Sequence, residues 1–362
     1  MHDVSKREIS YAEAILEGLD QAMEKDSSVI VIGEGVPDPK AIFGTTRGLR
    51  EKHGFERVFD MPLAENGLTG ICIGAALMGM RPVMVHQRID FALLAMDQLV
   101  NNAAKWHYMF GEKAQVPLVV RMIIGRGWGQ GPQHSQGLHA MFGQVPGLKV
   151  VMPTTPSDAK GMLLAAIADS NPVLFVEHRW LHSLVAHVPV EPISVPLDRA
   201  RLLRIGDAVT VAAFSYMAME ALTAAQQLSA IIGVEVEVID MRSVRPLDLH
   251  SVEASVRKTG RLLVADPAFY TGSIAGELIA QISERSFQHL LTAPRRVALP
   301  DMPAPTSHYM TCDYYPSPWS IAEAIIQMIP ALPSVDQMEK LRSVLQNAGP
   351  HDVPHRQFIG PF

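Results

Sequence analysis

The sequence has few of the features that mark several common protein classes. Only two cysteines, Cys72 and Cys312, occur in 362 residues, which excludes a disulfide framework and predicts a reducing, cytoplasmic environment. The longest apolar runs, such as ICIGAALMGM (71–80), are shorter than the roughly 20 residues that cross a bilayer. The polar N-terminus has no signal-peptide pattern. We therefore expect no membrane association.

Charge and short motifs exclude further classes. The net charge is −6 without a cluster of lysine and arginine, so a nucleic-acid partner is not expected. Neither the phosphate loop G-x-x-x-x-G-K-[ST] nor the nucleophile elbow G-x-S-x-G occurs. The remaining composition, 48% hydrophobic and 19% charged, is typical of a globular protein with a sizeable core.

Short β-branched runs alternate with helical patterns along most of the chain. This alternation predicts an α/β fold built on two open sheets, the first of them parallel and covered on both faces. Prolines punctuate the segment between the two patterned regions. We therefore predict a first domain over 1–190, a linker over 191–206, a second domain over 207–330 and a C-terminal arm over 331–362.

Glu65 is the first candidate for chemistry. It stands between the strand pattern ERVFDMPL and a helix of small residues, where the carboxyl edge of a parallel sheet binds ligands. A carboxylate at a helix start is equally explained by the helix macrodipole. The glycines of the following helix predict close approach of another backbone or subunit.

Two other stretches contain histidines in suggestive surroundings. GRGWGQGPQHSQGLH (125–139) is a glycine-rich loop that can present His134 to a cleft, or a flexible surface loop. EHRWLHSLVAH (177–187) contains Glu177, His178 and His182, but a strand pattern precedes it where zinc spacing would need a helix. Zinc is therefore disfavoured.

Eight segments in order carry a resemblance to a known family. They are VIGEG (31–35), TRGLREKHG (46–54), RVFDMPLAENGLTGICIGAALMGMRP (57–82), DQLVNNAAKWHYM (97–109), QHSQ (133–136), PGLKVVMPTTPSDAKGMLLAAI (146–167), DSNPV (169–173) and EVIDMRSVRPLD (237–248). With them the chain resembles the beta subunit of the thiamine-diphosphate-dependent 2-oxo acid dehydrogenase component of the pyruvate and branched-chain type. The likeness implies a transketolase-like pyrimidine-binding domain followed by a transketolase C-terminal-like domain.

The resemblance gives Glu65 a function. It implies that Glu65 hydrogen-bonds N1′ of the cofactor's aminopyrimidine and favours its imino tautomer, while His134 lies near C2. It also implies an alpha subunit that holds the diphosphate and Mg²⁺ in an alpha2beta2 assembly with a beta–beta contact. The Gly-Asp-Gly element that normally holds them is absent from this chain, although Asn101-Asn102 is present. A lipoyl-bearing acyltransferase is a further implied partner.

Other positions match family residues one at a time. The implied cofactor-binding positions are Glu34, Leu63, Glu65, Gln87, Phe91 and Leu94. The implied positions of a structural K⁺ are Leu118, Ala166, Ile167, Asp169 and Asn171.

Several residues depart from the family pattern. Val85 stands where a glutamate is usual, and Gly35 replaces a second acidic residue. His86 and Arg88 add polar groups that either face the site as substrate-binding residues or pair elsewhere. A guanidinium in the site would bind a carboxylate or phosphate.

Three functions remain to be separated. The first is a 2-oxo acid decarboxylase subunit that passes an acyl group to a lipoyl carrier. The second is a thiamine-dependent carboligase or transketolase-like transferase that moves a two-carbon or acyl unit to an aldehyde or sugar ketone. The third is a non-catalytic scaffold, which retention of both Glu65 and His134 disfavours.

Overall fold

The computed structural model describes residues 7–38, 41–125, 130–311, 314–330 and 332–346. The described chain divides into two compact units. Residues 7–125 and 141–197 belong to the first unit, and residues 130–140 and 198–346 belong to the second. The second unit thus includes the segment around His134 as well as the C-terminal half.

Up to residue 197 the helices and strands alternate as predicted. They are β1 (Glu8–Ser10), α1 (Tyr11–Lys25), β2 (Val29–Gly33), α2 (Leu49–His53), β3 (Val58–Asp60), α3 (Glu65–Leu77), β4 (Arg81–His86), α4 (Ile89–Ala92), α5 (Ala104–Met109), β5 (Val119–Ile124), α6 (His139–Gly143), β6 (Lys149–Val151), α7 (Pro156–Ala168), β7 (Val173–His178) and β8 (Val185–His187).

Six strands of the first unit form a parallel sheet in the order β6–β7–β5–β4–β2–β3. Their buried, nearly continuous apolar residues confirm the predicted parallel sheet. Because these strands run in one direction, the segments after β2, β3, β4, β5 and β7 all begin at the same carboxyl edge. This edge positions the candidate site.

Local sequence explains where the covering helices begin. Ser10 caps α1 in a capping box with Glu13. Thr155 caps α7, and Pro156 occupies its first turn, where proline is tolerated. The two helices contact each other, and Lys160 of α7 donates a 2.6 Å hydrogen bond to Glu17 of α1.

Residues 90–110 do not form one continuous helix, although their sequence pattern is helical. Between α4 and α5 the backbone changes to a 3₁₀ turn at Leu93–Ala95 and to π geometry at Gln98–Ala103. The amide side chains of Asn101 and Asn102 hydrogen-bond Asp97, one to its carboxylate and one to its carbonyl. Such polar side chains compete with the helical backbone bonds.

The second unit adds β9 (Arg201–Arg204), β10 (Val209–Ala213), α8 (Tyr216–Ile232), β11 (Val236–Asp240), β12 (Ser243–Arg245), α9 (Leu249–Thr259), β13 (Leu262–Phe269), α10 (Ile274–Ser286), β14 (Arg295–Leu299), α11 (Pro318–Ile326) and α12 (Val335–Gln346). Its five-stranded sheet has the order β14–β13–β10–β11–β9, with β9 antiparallel at one edge. Helix α12, from the predicted arm, buries Leu341 and Leu345 in the core of this unit. Residues 347–362 lie outside the described residues.

Candidate functional site

Two carboxyl groups meet at the carboxyl edge of the parallel sheet. Glu34 follows β2, and Glu65 begins α3 after β3. Their side chains are hydrogen-bonded, and Glu65 is only 8% exposed. Burial, then the charge of Glu65, raises the pKa of Glu34 to about 7. Glu34 is therefore partly protonated near neutral pH.

The glycines beside Glu34 allow this approach. A Cβ on Gly33 would lie 2.4 Å from the carbonyl oxygen of Val85 on β4, so only glycine fits there. Gly35 has a φ of +71°, which favours glycine, and its N–H donates to Asp60 at 2.8 Å. The glycine that departs from the family's acidic residue here suits this backbone conformation.

His86 ends β4 beside this carboxyl pair. It is fully buried, and neither ring nitrogen has a hydrogen-bond partner among the described residues. Burial lowers the pKa of His86 to about 4, and the charge of Glu65 partly opposes this shift. His86 is therefore a neutral imidazole at pH 7 with unused hydrogen-bonding capacity.

One other predicted cofactor position, Gln87, contacts the pair directly. Gln87 donates its amide to the backbone carbonyl of Glu34 at 3.3 Å. Phe91 is half-buried in α4. Leu63 and Leu94 are 80% and 62% exposed, which leaves apolar surface for a ligand or another chain to cover.

A buried polar network lies next to this site, on strands β5 and β7. Arg121 of β5 donates two hydrogen bonds to the carboxylate of Glu177 on β7, at 2.6 and 3.0 Å. Arg121 also donates to Thr45, and His182 lies 3.0 Å from Glu177. Burial alone would raise the pKa of Glu177, but the Arg121 charge and the hydrogen bonds lower it to about 2.

This network leaves no place for the zinc site that EHRWLH suggested. Glu177 is occupied by Arg121 and His182, and burial lowers the pKa of His182 to about 4. His178 accepts a hydrogen bond from the backbone of Trp180 instead. Across the part of the chain that the structure describes, no three His, Cys, Asp or Glu side chains form a metal-binding group.

His134 belongs to the second unit and is described there alone. It ends the 3₁₀ turn Pro132–His134 and is half-buried; residues 126–129 of its loop lie outside the described residues. The chain after it is fixed to β13, because a Cβ on Gly137 would lie 2.3 Å from the carbonyl of Pro267. His139 and Asp266, both fully buried, pair at 2.7 Å.

The five positions of the implied K⁺ site cluster in the first unit, and protein donors already contact them. Arg81 donates to the carbonyls of Ile167 and Asp169 at 2.7 and 3.0 Å. Lys149 pairs with the Asp169 carboxylate. The carbonyls of Leu118 and Ala166 accept backbone N–H groups from Val173 and Asp169, and the N–H of Asn171 donates to the Asp169 carboxylate at 2.9 Å.

Sequence reasoning missed Arg121, Arg179, His139 and Asp266. A charged residue inside the apolar strand VVRMII was the available signal for Arg121. Arg179 was read only as part of EHRWLH. The partnership of His139 with Asp266, 127 residues away, has no local signal.

Comparison with known proteins identifies the family. The model of the transketolase pyrimidine-binding domain matches residues 7–183, and that of the transketolase C-terminal domain matches residues 198–321. The beta subunit of acetoin:2,6-dichlorophenolindophenol oxidoreductase from Cupriavidus necator is 41% identical over 88% of this chain and 96% of its own. The beta subunit of 2-oxoisovalerate dehydrogenase from Bacillus subtilis is 41% identical over 82% and 90%.

This chain belongs to the beta-subunit family of thiamine-diphosphate-dependent 2-oxo acid dehydrogenases. Pyruvate dehydrogenase E1 subunit beta-2 from Oryza sativa is a further relative, 39% identical over 84% of this beta subunit and 82% of its own length. A split-gene transketolase, described as an inactive beta4 tetramer, has a TM-score of 0.71 at 21% identity, covers 88% of this chain and 98% of that one, and shares the fold. No described helix of this beta subunit is long and apolar enough to span a membrane.

Proposed function

We propose that this beta subunit positions the aminopyrimidine of thiamine diphosphate against Glu65 for decarboxylation of a small 2-oxo acid. The observation that carries the proposal is the buried Glu34–Glu65 pair at the carboxyl edge, where parallel sheets bind ligands. The residues fit the group, because the buried Oε1 of Glu34 and both ring nitrogens of His86 have no partner among the described residues.

The bound cofactor would supply a carbon nucleophile for the substrate carbonyl and accept the electrons released on loss of CO₂. Glu65 would form a hydrogen bond with N1′ of the cofactor. Glu34 would keep a proton beside Glu65 near neutral pH and so stabilise this contact. Leu63, Gln87, Phe91 and Leu94 would form the walls around the ring. His134 is proposed to act near the reacting carbon, on the anchored segment described above.

Partners are part of this proposal. An alpha subunit would hold the diphosphate and Mg²⁺ in an alpha2beta2 assembly, and a lipoyl-bearing acyltransferase would accept the acyl group. Support comes from α3 and the residue after it. Cβ atoms on Gly67 and Gly74 would meet nothing within 4 Å, and Ile71 and Met78 are 62% and 86% exposed. Such an open apolar face suits a protein contact. A K⁺ ion bound at Asp169 is also part of the proposal.

The test uses this chain co-purified with the alpha-like subunit. Calorimetry measures thiamine diphosphate binding, and ferricyanide reduction with 2-oxo acids measures turnover. Glu65→Gln should lower kcat by about 10²- to 10⁴-fold, the range for loss of a proton-transfer group. Glu51→Gln, an exposed position on α2, is the control. Full turnover in the Glu65 variant, or a wild-type complex that binds no thiamine diphosphate, would refute the proposal.

A second assay separates the acceptors. Reductive acylation of a lipoyl domain supports the dehydrogenase function. Formation of a new carbon–carbon bond with an aldehyde, without lipoyl acylation, would instead support the carboligase. The dehydrogenase names of two relatives favour the dehydrogenase function over the carboligase.

A further inference from the structure

Two buried arginines converge at the carboxyl edge of the first unit. Arg88 follows β4 and Arg179 follows β7, the two strands that flank β5, and they are 3% and 5% exposed. Arg88 donates to the carbonyl of Gly125, the first residue after β5, at 2.5 Å. A Cβ on Gly125 would lie 2.6 Å from the ring of His178, the residue next to Arg179. The two arginines therefore flank the carboxyl end of β5.

The two arginines lie close enough for their charges to interact. The guanidinium carbon of Arg179 lies 3.6 Å from the ring centroid of Phe43, a cation–π contact that fixes its plane. Burial, and then the charge of Arg88, lowers the pKa of Arg179 to about 9. Two neighbouring guanidinium groups together offer several hydrogen-bond donors to one anion.

The chemistry of the pair defines its ligand class. Planar guanidinium groups bind carboxylates and phosphates through two parallel hydrogen bonds. Strand β4 ends at His86, which lies beside Glu65, so Arg88 is two residues from the proposed reaction centre. We propose that Arg88 and Arg179 bind a second anionic group on the substrate, a carboxylate or phosphate distal to the reacting carbonyl. This inference rests on the proposed function.

The first measurement requires no turnover. Glutarate and inorganic phosphate are added separately to the complex of this chain with its alpha-like subunit, and the melting temperature is recorded. We expect one of them to raise it in the wild type but not in Arg88→Gln or Arg179→Gln. The more effective probe identifies the source as a carboxylate or a phosphate. Arg50→Gln, an exposed arginine on α2, is the matched control.

The second measurement concerns selectivity. The ratio of kcat/KM for 2-oxoglutarate to that for 2-oxopentanoate, which has the same chain length but no distal carboxylate, should fall at least about tenfold in each variant if the group is a carboxylate. Arg88→Lys should recover part of the loss, because it keeps the charge without the planar fork. If phosphate is the better probe, it should inhibit turnover in competition with substrate in the wild type, with at least about tenfold weaker inhibition in both variants.

Several outcomes would overturn the inference. A melting shift that persists in both variants would place the anion elsewhere. Equal losses for substrates with and without the distal carboxylate would assign the arginines to the carboxylate common to all 2-oxo acids. A phosphate shift abolished by thiamine diphosphate would assign them to the cofactor. Failure of the wild type to turn over any 2-oxo acid would refute the proposed function instead, since the melting shift is independent of turnover.

Discussion

The side chains of Glu34 and Glu65 share a hydrogen bond. Glu34 follows β2 and is half-buried, whereas Glu65 follows the neighbouring strand β3 and is buried. Two carboxylates in contact repel each other unless a proton lies between them. The pKa of Glu34 is raised to about 7, so a proton is partly retained on this group near neutral pH. A site prepared in this way can present a hydrogen bond to a ring nitrogen without first having to capture a proton.

The first prediction concerns Glu34 and pH. Its folded pKa of about 7 lies above the ordinary 4.5, so between these values the folded chain binds more protons than the unfolded chain. Stability from this group is therefore fully present below about pH 4.5 and lost as the pH rises through 7. Glu34→Gln should remove this dependence, so the variant should gain melting temperature relative to wild type from pH 5 to pH 8.

Glu51→Gln serves as the control, because Glu51 is an exposed carboxylate on α2. Its melting temperature should follow the wild type across the same pH range. A constant difference between Glu34→Gln and wild type from pH 5 to pH 8 would mean that Glu34 is already ionised in the folded chain.

The second prediction concerns His86. A buried polar group without a partner destabilises a fold by about 1–3 kcal/mol, so His86→Phe should keep or raise the free energy of unfolding. The folded pKa of His86, about 4, lies below the ordinary 6.5. Its contribution is thus present above pH 6.5 and lost as the pH falls toward 4, and the variant should lack this acid sensitivity. Urea denaturation at pH 5 and pH 7.5 measures both effects.

His139→Phe provides the contrast. His139 is equally buried but pairs with Asp266 at 2.7 Å, so its replacement leaves a buried carboxylate without that partner. We expect it to lower stability by about 3 kcal/mol or more. Equal destabilisation by the two variants would show that the nitrogens of His86 are satisfied in the folded chain.

The residues that meet at the carboxyl edge of the first unit could be predicted, because the direction of each strand can be predicted from the sequence. Apolar runs fix where β2, β3 and β4 end, and an alternating β/α pattern makes them parallel, so Glu34, Glu65 and His86 had to reach one edge. The pairing of Arg121 with Glu177 requires the strand order, which no local pattern contains. The π segment at Gln98–Ala103 depended on amide side chains whose hydrogen bonds compete with a helix pattern that is otherwise regular.

The third prediction concerns the Arg121–Glu177 pair. Removal of one member leaves a buried charge, so Arg121→Met or Glu177→Leu should each lower the free energy of unfolding by about 3–5 kcal/mol. The double variant should recover a large part of the loss, because neither charge is then buried alone. Urea denaturation of the four proteins gives the coupling energy. Additive losses would contradict a direct pair.

The last prediction concerns K⁺ at Asp169. The carbonyls of Ile167 and Asp169 each accept from Arg81, yet a carbonyl oxygen has two lone pairs and can also bind an ion. If K⁺ is bound, exchange of Na⁺ for K⁺ at constant ionic strength should raise the melting temperature of the wild type, because a ligand that binds only the folded state stabilises it. Asp169→Asn should abolish the difference.

The Lys149→Met variant distinguishes a bound K⁺ ion from the positively charged side chains that already contact this loop. Lys149 pairs with the Asp169 carboxylate and competes with K⁺ for it, so its removal should increase the effect of K⁺. Asp158→Asn, a carboxylate at the other end of the same helix, should leave the effect unchanged. If Na⁺ and K⁺ give equal melting temperatures in both the wild type and Lys149→Met, Arg81 and Lys149 neutralise this loop without a bound ion.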